Sequence, residues 1–514
     1  MSFGKTKVKA TAFSAALAKP VARGMVERVR TTKSSAWTNL RSRHSLTLFH
    51  EVAKRVPAYR AFLKENGIRP ETIRTQEDFE KVPTTSKANY LKKYPLADLC
   101  WDGKLGCPAV FSSTSGSTGK PFYFQRLPNL EEEYSILAEL FLSNGAHPPN
   151  PKNPTLVIVG FGMGVWIGGT LTYRAFDIAS RRSYPVSILP AGVNKAEILK
   201  ALRDLAPSFK QTILIGYPPF VKDILDEAEF EGIDLKALNL RLFFAAEAFS
   251  ERFRDYLAKK VGMKNVYRDT LNIYGTADIG AMAFETPTTI LIRRLAMKDK
   301  KLYSRIFGDV QKTPTLAQYN PAFVSFEAPK GEILLTGYSA MPLVRYAVGD
   351  RGGVHTYLDL RDIFAEAGIN LEKEARLKKV PLYELPFVYV YERSDLATTL
   401  YGLQIYPEYL RDVMLSDSVQ HYCTGKFQIA TKYDESENQY LEINIEQKRG
   451  VGSVPSPFIK KMETIVKTAF REKSSEFREL SSFVNGRPLF KLVFRAVGDP
   501  EYFPAGIKQK WVKK

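Results

Sequence analysis

Residues 112–121 read Ser-Ser-Thr-Ser-Gly-Ser-Thr-Gly-Lys-Pro, a run of hydroxyls with two glycines and a lysine. Glycine lets backbone approach an anion closely, hydroxyls and amide N–H groups donate to phosphate oxygens, and a lysine adds charge. The apolar flanks 109–111 and 122–124 set the stretch apart from a plain Ser/Gly linker, and the chemistry it suits is phosphate binding. It is not a Walker loop. That motif needs four residues between its glycines and Ser/Thr after the lysine, whereas here the glycines are two residues apart and Pro121 follows. A second glycine run, Gly160-Phe161-Gly162-Met163-Gly164, continues with Val165-Trp166, which removes it from the dinucleotide fingerprint. Phe161 and Trp166, with Gly216 and Tyr217 downstream, suit a pocket for a flat aromatic or other apolar group. The same aromatics would equally serve as core.

The elements around these residues alternate. Short apolar runs at 155–160, 212–216, 241–246 and 271–274 have strand length. Amphipathic stretches at 195–205, 218–229 and 250–261 separate them, the first opened by Asn194 as N-cap and the second by prolines in its first turn. This pattern predicts βαβ units and a mostly parallel sheet. Residues 44–100 read as a helical cap, 331–357 as β-rich, and the charged stretch 371–379 as an insertion or long loop. Beyond about residue 394, alternating segments at 426–431, 440–445 and 490–494 flank a helical pattern near 459–471, giving a small α+β domain. The fold class expected is α/β: a large N-terminal domain with mixed, mostly parallel sheets and a β-rich subdomain, plus a small mobile α+β C-terminal domain. The boundaries expected are a basic arm over 1–43, a large domain over 44–393 and a small domain over 394–514.

The chain has 514 residues, is 44% hydrophobic and carries 74 Lys+Arg against 55 Asp+Glu, a formal net charge of +19. That composition excludes disorder throughout. Residues 1–43 hold ten Lys/Arg and one acid, so 10 − 1 = +9, close to half of the excess. The arm suits a membrane surface, an acidic partner or an organelle transit peptide, and a solvated basic helix accounts for it equally well. No nucleic-acid motif accompanies the charge, so no specific nucleic-acid partner is expected. Three cysteines (Cys100, Cys107, Cys423) cannot make a disulfide framework or a zinc cluster. With no long apolar span and no secretory leader pattern, the expected location is cytoplasmic.

Several motifs together carry a resemblance. Thr114-Ser115-Gly116-Ser117-Thr118-Gly119-Lys120-Pro121 is similar to the phosphate loop of the adenylate-forming enzymes: acyl-CoA synthetases, adenylation domains and luciferase. The phenylacetate–CoA ligase branch is the nearest in look. Ala245-Ala246-Glu247-Ala248 resembles that superfamily's turn beside adenine. Asn272-Ile273-Tyr274-Gly275-Thr276-Ala277-Asp278 resembles its adenine and metal motif, and the segment from Met341 to Asp350 its ribose motif. Glu392-Arg393-Ser394-Asp395 resembles the interdomain hinge, and Phe503-Pro504-Ala505-Gly506-Ile507-Lys508-Gln509-Lys510 the tail that ends in a lysine. The motifs occur in the superfamily's order from residue 112 to the C-terminus.

The resemblance implies a ligase that uses ATP and Mg²⁺ to convert a carboxylic acid, aryl or apolar, to an acyl-adenylate with release of pyrophosphate. Coenzyme A is the implied acceptor. An alternative acceptor is an acidic carrier protein's thiol, an amine or a hydroxyl; a weakly catalytic nucleotide binder is a further alternative. By the same resemblance Ser115, Gly116, Ser117, Thr118, Gly119 and Lys120 cradle phosphates, with Thr118, Lys120 and Lys510 catalytic. Ala246, Glu247, Tyr274, Gly275, Thr276, Asp350 and Arg393 contact the nucleotide, Asp278 positions Mg²⁺, and Asp395 is the hinge. Lys508 is a second candidate for the tail lysine. Two departures stand out. Ala277 replaces a hydroxyl residue, and Asp278 replaces a glutamate one methylene longer.

Overall fold

The computed structural model describes residues 24–105, 109–113, 122–164, 167–182, 184–308, 314–391, 398–400, 403–434, 439–474, 477–478, 481, 488–504 and 511–513. Five strands run parallel in the order Ser187–Leu189, Thr155–Gly160, Gln211–Gly216, Leu240–Ala245, Thr270–Thr276. The three inner ones, Thr155–Gly160, Gln211–Gly216 and Leu240–Ala245, are buried almost throughout, as strands covered on both faces must be. Their crossovers are the helices Ile167–Arg182, Lys195–Lys200, Pro218–Phe230 and Glu251–Lys260. Asn194 caps the second of these by accepting from the Glu197 N–H at 3.2 Å, and Ser250 caps the fourth by accepting from Phe253 N–H.

The sheet does not stay parallel. Gly280–Phe284 turns back antiparallel on Thr270–Thr276, and Thr315–Gln318, Phe387–Tyr391, Leu343–His355, Glu332–Gly337 and Val324–Glu327 extend it antiparallel to eleven strands. The twelfth, Thr85–Ser86, lies parallel to Leu343–His355, with Thr85 opposite Tyr346. The connection from Thr276 to Gly280 is too short for a helical crossover, so the chain reverses there as a hairpin.

Helices Ser34–Arg55 and Pro57–Glu65 cover this antiparallel half and share a core with Tyr274, Phe326 and Tyr346. Packing starts well before residue 44. Met25–Thr31 is helical, and Met25, Val29 and Trp37 are buried against Ile136, Leu140 and Tyr383. The basic segment therefore joins the core from residue 25, and residues 1–23 lie outside the described residues. The stretch expected as an insertion or long loop is instead a helix, Leu371–Lys378, capped by Asn370, with Leu371 and Ala375 buried beside helix Tyr357–Glu366. Two apolar residues at i and i+4 suffice to seat an otherwise charged helix.

C-terminal to this, Phe490–Arg495, Gln439–Gln447, Cys423–Tyr433 and Val512–Lys513 form a separate four-stranded sheet packed on helix Ser456–Lys473. No described helix is long and apolar enough to cross a membrane. Cys100 and Cys423 are free and buried; Cys107 lies outside the described residues.

Candidate functional site

Gly160, Gly216, Ala245 and Thr276 end four neighbouring parallel strands. The chain moves to opposite sides of Thr155–Gly160 for its next two strands, and that divergence opens a crevice at the carboxyl ends of the strands. Three sequence motifs meet along this edge.

The first is the turn after Leu240–Ala245. Ala246 sits at φ 77°, left-handed backbone that costs a non-glycine residue about 1–3 kcal/mol and gathers at functional sites. Asn272 Nδ2 donates to the Glu247 carbonyl at 3.0 Å, fixing the turn to the next strand. The Glu247 carboxylate accepts from the indole N–H of Trp511 at 3.3 Å, and Arg411 Nη1 donates to the Ala248 carbonyl at 3.1 Å. Arg411 lies over the Trp511 ring, 4.4 Å from its centroid. The C-terminal sheet thus touches the turn through the residue immediately after Lys510.

The second is the strand end at Tyr274. Its phenol donates to Asp350 Oδ2 at 2.7 Å, joining the residues that the motifs assign to adenine and ribose. Burial and the facing carboxylate push the Tyr274 phenol well above its usual value, so it stays a donor. Gly275 is needed here for close approach. A Cβ at that position would stand 2.7 Å from the Gly280 carbonyl oxygen on the returning strand.

The third is the bend that follows. Thr276 Oγ1 accepts from the Asp278 N–H at 3.2 Å. Asp278 Oδ2 accepts from the Tyr346 phenol at 2.7 Å, and Lys87 Nζ stands 3.6 Å from its Oδ1. Among the described residues no group of three or more His, Cys, Asp or Glu could hold a metal by itself. One carboxylate suits Mg²⁺ that arrives with the phosphates of a nucleotide, since Mg²⁺ is usually held by one or two carboxylates plus substrate oxygens.

The strands flanking residues 114–121 form a hairpin, Val110–Ser113 with Tyr123–Arg126, Ser113 opposite Tyr123. Arg126 at its end donates through Nε to Ser112 Oγ at 2.9 Å and through the two Nη atoms to the Ala277 and Asp278 carbonyls. Burial lowers the Arg126 guanidinium to about 10, opposed by the charge of Asp278.

Ser115, Gly116, Ser117, Thr118, Gly119, Lys120, Trp166, Arg393, Asp395, Lys508 and Lys510 lie outside the described residues. Phe161 is buried, and its ring packs edge-on against Tyr217 with centroids 4.9 Å apart, within the core under helix Ile167–Arg182. The structure thus brings Phe161 and Tyr217 together, with Phe161 buried. Sequence reasoning missed Lys87, Arg126, Tyr346 and Trp511. Lys87 had a signal, because Thr84-Thr85-Ser86-Lys87 repeats the hydroxyl-then-lysine character of 112–121. Arg126 had none: only the folded hairpin brings it to residue 277.

No protein-family model matches the sequence. The phenylacetate–coenzyme A ligases of Aromatoleum evansii and Pseudomonas putida are 23% and 25% identical to it over 303 and 304 residues. Each match covers 57% of this chain and 61% of the relative, so the chain spans about three-fifths of the length of these relatives. A 2-hydroxyisobutyryl-CoA ligase in the postadenylation state superimposes with TM-score 0.66 over 95% of this chain and 91% of its own, at 15% identity. The likeness shows the fold: the chain has the fold of the adenylate-forming ligases. Its large mixed sheet and separate C-terminal sheet are the fold of those ligases. An acyl acid amido synthetase shares the fold at TM-score 0.58, 12% identity, over 96% of this chain and 94% of its own. The same 2-hydroxyisobutyryl-CoA ligase in its thioesterification state superimposes less well, at TM-score 0.51 over 95% of this chain and 91% of its own, with 15% identity.

Proposed function

We propose that this adenylate-forming protein activates a carboxylic acid with ATP and passes the acyl group to coenzyme A. The observation that carries the reading is the Trp511–Glu247 hydrogen bond, which brings the end of the C-terminal sheet to the turn assigned to adenine. The better superposition on a postadenylation than on a thioesterification state supports the same arrangement. The phenylacetate–coenzyme A ligase relatives support coenzyme A as acceptor and an aryl acid as substrate.

In the first half-reaction an oxygen of the carboxylate attacks the α-phosphorus, and the bond to the bridging oxygen breaks to release pyrophosphate. An anion must approach a polyanion, so the barrier is mainly electrostatic and preorganised positive groups lower it. Residues 115–120 cradle the β- and γ-phosphates, with Thr118 and Lys120 nearest the chemistry. Tyr274 and Asp350 hold the base and ribose, aided by Gly275 and Thr276, and Arg393 adds a polar contact. Asp278 is the residue that would hold a Mg²⁺ ion entering with the nucleotide, and the ion would supply neutralisation of phosphate charge. Lys510 contacts carboxylate and α-phosphate together. Rotation of the C-terminal part, 394–514, about Asp395 then withdraws Lys510 and admits the thiol, whose sulfur attacks the acyl carbon and expels AMP. The acid lies beside Trp166, Gly216 and Tyr217, with Phe161 behind. The absence of a crossing helix among the described residues supports a cytoplasmic setting.

An amine acceptor is the second reading, favoured by the shared fold with the acyl acid amido synthetase. Acid-dependent ATP–pyrophosphate exchange over a panel of aryl and aliphatic acids tests the first half-reaction. No exchange with any acid would overturn the reading. Thioester formation with free coenzyme A then decides the acceptor. Lys510→Ala is expected to abolish exchange while thioester formation from preformed acyl-adenylate survives.

A further inference from the structure

Arg126 is an uncommon kind of buried cation. The residue is 6% exposed and makes no ion pair with a carboxylate among the described residues. Its hydrogen bonds go to Ser112 Oγ and to two backbone carbonyls, Ala277 and Asp278, and its guanidinium lies 5.5 Å from the Phe124 ring centroid. Asp278 turns its carboxylate elsewhere, to Tyr346 and Lys87. A cation buried with no carboxylate in direct contact is costly, and the nearby charge of Asp278 offsets only part of that cost, which leaves room for a functional use.

The location supplies that use. Ser112 lies in the strand leading into residues 114–121, and Ala277–Asp278 is the bend that presents the one acid assigned to Mg²⁺. Arg126 ties these two phosphate-facing segments together, and each tie is a fixed donor that needs no reorganisation when substrate binds. Ala277 offers no side-chain donor to a phosphate, and the guanidinium lies directly against its carbonyl. Positive charge is therefore restored from behind the bend at the position where the side chain provides none.

We propose that Arg126 is a positioning residue of the adenylation half-reaction, locking the Ala277–Asp278 bend to the phosphate-loop hairpin and supplying positive potential to the nucleotide phosphates. This rests on the adenylation reading above. Its action is confined to the step in which the triphosphate is present; transfer of the acyl group from a finished acyl-adenylate does not need it.

The test measures both half-reactions in the full-length chain. Arg126→Met is expected to lower the ATP–pyrophosphate exchange rate at least thirtyfold, with thioester formation from preformed acyl-adenylate within threefold of wild type. Arg126→Lys, which retains the charge but not the planar fork, is expected to lose three- to tenfold in exchange alone, and it decides the matter if Arg126→Met does not fold. Low-millimolar guanidinium should restore exchange to Arg126→Ala, and urea of the same shape but no charge should not. Equal losses in both half-reactions, unchanged exchange, or equal rescue by urea would each overturn the assignment. A wild-type chain without acid-dependent exchange would instead overturn the adenylation reading, and this assignment with it.

Discussion

Trp511 donates its indole N–H to the Glu247 carboxylate across 264 residues of sequence, at 3.3 Å. On the rotation proposed above, the contact belongs to the adenylation arrangement, because turning the sheet away from the Glu247 turn would break it. Its partners reinforce the point: Arg411 stacks on the indole while donating to the carbonyl of Ala248, the residue after Glu247. Trp511→Ala is thus expected to disfavour the adenylation arrangement. Exchange should fall about tenfold, in line with one partly exposed hydrogen bond plus aromatic packing, while thioester formation from acyl-adenylate holds or rises. Trp511→Phe, which preserves a ring under Arg411, should fall between. Parallel loss of both activities would show that Trp511 merely supports the small sheet.

The Tyr274–Asp350 bond makes a separate prediction. Asp350 lies in a strand distant from Tyr274 in sequence, and its orientation depends on the phenol that donates to it. Asp350→Asn removes the charge-assisted acceptor proposed for the ribose hydroxyls and is expected to raise the KM for ATP at least tenfold. Tyr274→Phe keeps the ring proposed to lie against the base and loses only the donor to Asp350, a hydrogen bond to a charged group of about 1.5–3 kcal/mol. Its KM for ATP should rise by less than that of Asp350→Asn, with kcat within threefold. A fall in kcat at unchanged KM would place Tyr274 at the reacting atoms instead.

How far the sequence reveals this molecule depends on range. The parallel half is legible because each strand and helix announces itself locally: Asn194 and Ser250 cap two of the helices the pattern predicts, and prolines occupy the first turn of a third. Leu371–Lys378 was hidden because its seating depends on two apolar residues in a charged background. The motif residues Tyr274, Asp278 and Asp350 carry recognisable neighbours. Arg126, Tyr346 and Lys87 act on Asp278 from positions 68 to 191 residues away in sequence, and no local pattern encodes such pairings.

A buried ion network under this edge governs stability at low pH. Glu251 is 5% exposed and takes Arg254, Arg293 and Arg294 at once, while Arg254 also grips Glu285. The three guanidinium groups outweigh burial and hold the Glu251 carboxyl down at about 2, against an ordinary value of 4.5. A depressed value means stabilisation that is complete above 4.5 and lost as pH falls through 2. Glu251→Gln leaves buried cations short of a partner and should cost about 3–5 kcal/mol in urea unfolding at pH 7. The gap between variant and wild type should close between pH 4.5 and 2. A gap that persists at pH 2 would assign the loss to packing.

Glu133 gives the opposite sign. It lines a crevice with Leu130, Tyr134, Leu137, Ile279 and Met282, and Asn129 Nδ2 donates to its Oε1 at 3.1 Å. Burial lifts its carboxyl from 4.5 to about 8, with the Asn129 bond pulling weakly the other way. The protonated form is therefore the one this fold accommodates. Stability associated with Glu133 is complete below pH 4.5 and lost as pH rises through 8. Wild-type thermal midpoints should decline from pH 5 to pH 9. Glu133→Gln, a neutral group of the same shape, should flatten that decline and be the more stable protein at pH 9. The two proteins should be indistinguishable near pH 4.5, where the native carboxyl is already neutral. If the glutamine variant instead declined in step with wild type, the decline would belong to other titrating groups and not to the Glu133 carboxyl.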